Sequence, residues 1–67
     1  MKLTLNGRPV DSLSDHLIDL LRDRGVDVER AGIAVAVNGN VVPRRLWAEH
    51  RLADDDEIEV ITAMQGG

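Results

Sequence analysis

Residues 33–42 read "IAVAVNGNVV", and this stretch decides the fold class. Ile33, Val35 and Val37 alternate with Ala34 and Ala36, the period-two pattern of a strand with one apolar face. Asn38 and Gly39 both accept positive φ, so the pair predicts a type I′ turn and a hairpin. Val41 and Val42 begin the return strand. Pro43 ends it, because proline has no amide hydrogen to give a neighbour. The alanines leave the second face short of volume, which implies either cover on both faces or close approach of neighbouring backbone.

The same signals recur upstream. "KLTL" at 2–5 puts Leu3 and Leu5 on one face, Asn6-Gly7 marks another hairpin, and "RPV" at 8–10 is its return. Pro9 assigns that return strand to a sheet edge. Between the hairpins, "SLSDHLIDLLRDRG" at 12–25 predicts a helix. Ser12 or Ser14 would cap it and Asp15 would lie in its first turn, where the helix dipole favours negative charge. Leu13, Leu17, Leu20 and Leu21 would form the buried stripe, with Ile18 on its flank and Gly25 as the left-handed C-cap.

Downstream of Pro43, "RRLWAEHRL" at 44–52 is weakly patterned; one helical turn would bring Leu46, Trp47 and Leu52 over the core. "ADDD" at 53–56 is a turn and "EIEVIT" at 57–62 a final alternating strand. The element order is ββαβββ, an α+β architecture with one face of the sheet covered by the helix. Residues 1–62 form the domain and 63–67 a flexible tail.

Size and charge narrow the function. Sixty-seven residues without cysteine make one small domain with a modest core and no disulfide or thiolate–metal staple. Pockets that enclose a ligand typically occupy about 300–1,000 Å³, which favours binding or carrying over self-contained catalysis. Twelve acidic residues against eight basic give a net charge of −4, a balance that suits a basic partner surface. It argues against nucleic acid and anionic membrane. No apolar run reaches the roughly 20 residues of a spanning helix, and Met1 leads straight into a strand pattern, so the cytoplasm is the expected compartment.

Few residues offer chemistry. His16 and His50 stand apart without cysteine, short of the three or four converging ligands that zinc needs. Ser12 and His16, four apart, have nucleophile–base spacing, but Ser12 is better used as a cap. Asp15, Asp19 and Asp23 recur at i, i+4, i+8 and read as a solvated face. "DDDE" at 54–57 lacks the glycine and ligand spacing of a calcium loop. Arg44-Arg45 is too short for a phosphate stripe.

The last four residues are different. Met64 and Gln65 lead into Gly66 and Gly67 straight after the final strand. Glycine costs ordering entropy and adds no packing, so two in a row do not serve stability. What they offer is slimness, a backbone able to thread a narrow channel and present the Gly67 carboxylate. That group, with a reference pKa of about 3.3–3.7, is an anion at neutral pH and a poor electrophile. Joined to AMP it becomes a mixed anhydride with a good leaving group, open to replacement by sulfur.

The motifs "NGR" after the first strand, "IAVAVNGNVVPRRLW", "LADDDEIEV" and the terminal "MQGG" together make the chain resemble the ThiS family over almost its whole length. These are sulfur carrier proteins of thiamine (thiazole) biosynthesis with the β-grasp, ubiquitin-like fold. The resemblance implies that the first and last strands lie side by side in the middle of a mixed sheet, with the helix packed across it. It implies a non-enzyme, a monomer when free, that binds no cofactor of its own. An E1-like adenylating enzyme of the ThiF type would use ATP and Mg to adenylate Gly67. Sulfur originating from a cysteine desulfurase would make the thiocarboxylate, and thiazole synthase (ThiG type) would accept it. Met64, Gln65 and Gly66 would occupy the partners' channels. A MoaD-type carrier for molybdopterin and a ubiquitin-like modifier conjugated through Gly67 are the alternatives. One departure stands out: the family pattern "L.DGD.IE" has glycine where this chain has Asp55.

Overall fold

The two Asn-Gly pairs form the turns expected of them. Asn6 and Gly7 have φ of 50° and 80°, and Asn38 and Gly39 have 51° and 83°. In the computed structural model, which describes residues 1–63, they join β1 (Lys2–Leu5) to β2 (Arg8–Asp11) and β3 (Ile33–Val37) to β4 (Asn40–Val41). The helix α1 (Leu17–Asp23) links the hairpins, a 3₁₀ turn spans Arg44–Leu46, and β5 (Glu57–Thr62) closes the order. The sheet runs β2-β1-β5-β3-β4, with β1 and β5 parallel and the other pairs antiparallel. The last strand thus inserts between the hairpins beside the first, and Pro9 sits on edge strand β2.

Leu3 from β1, Val35 and Val37 from β3 and Ile58 from β5 are buried against Leu17, Leu20 and Leu21 of the helix. Val42, Trp47 and Leu52 complete the core, so the 44–52 segment closes over it as its spacing suggested. The helix ends as expected. Gly25, at φ +80°, donates its N–H to the Arg22 carbonyl, and Val26 N–H returns to Leu21, the paired bonds of a Schellman motif.

The helix start differs from expectation. It begins at Leu17, and the cap position falls to His16, which makes no side-chain cap bond. Ser12 donates instead to the Ser14 carbonyl at 2.8 Å, and Asp19 rather than Asp15 occupies the first turn. Leu13 is fully exposed and takes no part in the buried stripe. The physical reason is a tertiary cap. The N–H groups of Leu17 and Ile18 donate to the carbonyls of His50 and Trp47, so the 47–50 loop satisfies amides that a serine would otherwise cap. Leu52 N–H donates to the Asp15 carbonyl and His16 bridges to Arg51, so the residues just before Leu17 pair with this segment instead of joining the helix.

The far face of the sheet is also different. The helix covers one face alone; Ala34 is exposed and Ala36 half-buried on the other. Their flanking neighbours there, Val41 and Ile61, are 72% and 58% exposed. Among the described residues, no helix is long and apolar enough to cross a membrane.

Candidate functional site: the root of the tail

β5 delivers the chain to the end of the sheet opposite Lys2, because β1 runs parallel to it and begins beside residues 54–56. There Ala63 donates its N–H to the Gly32 carbonyl at 2.6 Å. Gly32, at φ +83°, ends the loop before β3, and a Cβ built on it would lie 3.6 Å from that of Ala63. The loop is itself pinned. The Arg44 guanidinium donates to the carbonyls of Val28 and Arg30 and lies 4.5 Å from the centre of the Trp47 ring. Trp47 is buried and donates its Nε1–H to the Val42 carbonyl at 2.8 Å. A continuous line of contacts therefore runs from the core through Trp47, Arg44 and the 28–32 loop to Ala63.

The two turn asparagines fix β5 from opposite sides. Asn38 accepts the Glu57 N–H on its Oδ1 at 2.9 Å, donates its own N–H to the Glu57 carbonyl, and donates its Nδ2–H to Asp56. Asn6 donates its N–H to the Ile58 carbonyl and accepts the Val60 N–H on its Oδ1, both at 2.8 Å. The strand leading to the tail is thus held in register by side chains as well as by its ladders.

The other candidates are dispersed. Ser12 and His16 do not pair; the imidazole Nδ1 lies 3.2 Å from Asp15 Oδ1 instead. The Asp15, Asp19, Asp23 stripe breaks up because Asp15 precedes the helix, where its carboxylate accepts from Arg51 at 2.9 Å. Asp19 accepts the Ser14 hydroxyl at 2.7 Å. Asp54 and Asp56 tie their own turn, accepting from Lys2 and Ala53 backbone N–H groups. Among the described residues no three His, Asp or Glu side chains converge as metal ligands. A surface depression lined by Lys2, Leu3, Pro9, Val10, Asp11 and Arg24 is open to solvent and lies at the sheet end opposite Ala63.

The expected site residues Met64, Gln65, Gly66 and Gly67 lie outside the described residues. Sequence reasoning missed the groups that hold the root: Gly32, Arg44 and the Asn6 side chain. Arg44 had a usable signal, its i, i+3 spacing to Trp47 in a single turn. Gly32, one residue before an alternating strand, had another.

Comparison with known proteins agrees with this architecture. The ThiS family model matches residues 3–67. The sulfur carrier protein ThiS of Escherichia coli strain K12 is 30% identical over 67 residues, which span the whole of both chains. An uncharacterized protein ycf40 of Porphyra purpurea is 27% identical, covering all of this chain and 93% of that one. The crystal structure of the thiamine biosynthesis protein ThiS of Geobacter metallireducens superposes with a TM-score of 0.79 at 28% identity, covering all of both chains. A solution structure of a thiamine biosynthesis protein from the same organism gives 0.77 at 32%, covering all of this chain and 88% of that one. The mixed β-grasp sheet, the helix packed on one face of it and the full-length match place this chain in the ThiS family.

Proposed function

We propose that the chain is a sulfur carrier for thiazole formation in thiamine biosynthesis, a protein co-substrate and not an enzyme, whose reagent is the Gly67 carboxylate. The observation that carries this reading is the placement of the root. A central strand, fixed on both sides, hands the chain on at Ala63, four residues short of Gly67. The full-length likeness to a protein named as a sulfur carrier supports it.

In this scheme a ThiF-type enzyme joins the carboxylate to AMP, with ATP as donor and pyrophosphate as leaving group. A persulfide sulfur then attacks the acyl carbon and expels AMP, and a thiol cleaves the resulting S–S bond to release the thiocarboxylate. A ThiG-type thiazole synthase receives the sulfur. Nothing in these steps needs a general acid or base on the carrier. What the carrier supplies is a backbone slim enough to enter each partner, with Met64, Gln65 and Gly66 inside the channel.

The test is intact-mass analysis after incubation with the activating enzyme, ATP and a sulfur donor. The expected product has one oxygen replaced by sulfur at Gly67, and a variant lacking Gly66 and Gly67 gives none. Adducts of the chain on lysines of other proteins would assign it to the modifiers instead.

A further inference from the structure

The central strand has two sides, and only one is fully paired. Asn38 N–H to Glu57 and Ala63 N–H to Gly32 fix the odd-numbered residues of β5 as those whose main-chain groups face β3. Ile58, Val60 and Thr62 therefore present theirs to the β1 side. β1 pairs with residues Glu57 and Ile58 and then leaves at the Asn6-Gly7 turn. The Asn6 side chain takes the Val60 N–H, as a strand continuing past Leu5 would. Beyond it, the Val60 carbonyl and the Thr62 N–H and carbonyl have no partner among the described residues. Ile61 and Thr62 are both exposed beside this gap.

We infer that this short open edge is a docking site for an extended segment of the adenylating enzyme, which adds to the sheet as a strand alongside residues 60–62. The inference rests on the carrier function proposed above. Reach supports the choice of occupant. Four residues separate Ala63 from the reacting carboxyl, and fully extended they span at most about 14 Å. The enzyme must therefore close on the tail root to bring Gly67 to its nucleotide, and the Val60 and Thr62 main-chain groups that lack a partner among the described residues lie within three residues of that root. Strand addition satisfies them, and it aligns an enzyme backbone with β5 as far as Thr62. The added strand should carry an apolar side chain beside Ile61, whose flank on the other side is only Ala34.

Amide hydrogen exchange on the complete chain, alone and saturated with the activating enzyme, tests this directly. In the free protein Thr62 N–H should exchange near the rate of an unprotected amide, and in the complex it should slow by about tenfold or more. A second arm uses Thr62→Pro against Thr62→Ala. The Thr62 N–H faces away from β3, so proline removes no ladder bond and the free domain keeps its unfolding midpoint. For adenylation, Thr62→Pro should raise KM for the carrier about fivefold or more with kcat nearly unchanged, while Thr62→Ala stays near the parent.

A complex in which Thr62 exchanges as fast as in the free chain, or equal KM values for the two variants, overturns the edge and leaves the carrier reading standing. Protection that appears in the free protein and grows with its concentration assigns the edge to a second copy, and also overturns the proposal. Absence of any complex or adenylation with the parent chain sinks both.

Discussion

β5 alternates polar and apolar residues from Glu57 to Val60 and breaks the pattern at Ile61 and Thr62, and its two halves meet opposite fates. In the first half, Glu57 and Ile58 lie between β1 and β3 with ladders on both sides, and Ile58 is 1% exposed. In the second half, Ile61 and Thr62 keep only the β3 ladder, and Ile61 is 58% exposed. Two causes act: Ile61 lies three residues after Ile58 and so on the opposite face of the sheet, which the helix does not cover, and β1 turns away after Leu5 while β3 accompanies β5 to its end. One strand thereby anchors a small domain at its first residues and leaves its last ones exposed with a ladder on one side.

The sharpest way to break this contrast is Ile58→Ala. Removing a buried aliphatic side chain from a close-packed core costs about 2–5 kcal/mol. A domain of this length has only roughly 3–10 kcal/mol to lose. The expected outcome is a fall in thermal midpoint of roughly 10 °C or more. A smaller fall would mean that the first half of β5 is not the anchor.

A milder probe acts on the entry to the same half. Asp55 has φ +70°, the left-handed conformation that the family's glycine suits. Its N–H donates to the Lys2 carbonyl at 2.7 Å, which ties the turn to β1. A non-glycine residue there is strained by up to about 1–2 kcal/mol, Asp less than most. Glycine also enlarges the entropy lost on folding, which takes back part of the gain. Asp55→Gly is therefore expected to stabilise by about 0.5–1 kcal/mol, read as a higher denaturant midpoint with unchanged slope. An equal or lower midpoint would show that the turn is unstrained.

How much of this was legible in the sequence depended on the range of the interactions. Both Asn-Gly turns, the Pro9 edge and the Gly25 helix end are local, set by φ preferences and missing N–H groups, and each was readable. The ββαβββ order followed from them. The helix start was misread because its amides are capped by the carbonyls of Trp47 and His50, some thirty residues away, and no local signal records that. Leu13 has helical spacing to Leu17 and Leu20 yet points to solvent for the same reason. At the root, the diglycine was visible, but the bond from Ala63 to Gly32 and the Asn6 bond to Val60 span 31 and 54 positions and needed the folded sheet.

The smallest effect on stability is expected in the second half of β5, and it separates holding from docking. Ile61→Thr keeps a β-branched side chain and hence the strand preference, and at an exposed position its cost should stay within about 0.5 kcal/mol. If the outer face near the root meets the adenylating enzyme, the same variant raises KM for the carrier while kcat holds, because ground-state and transition-state binding weaken together. A loss of stability comparable to that of Ile58→Ala would mean that the far face is covered after all. A variant matching the parent in both stability and KM would confine the contact to the main-chain edge at Val60 and Thr62, where side-chain identity has little weight and the backbone N–H carries the recognition.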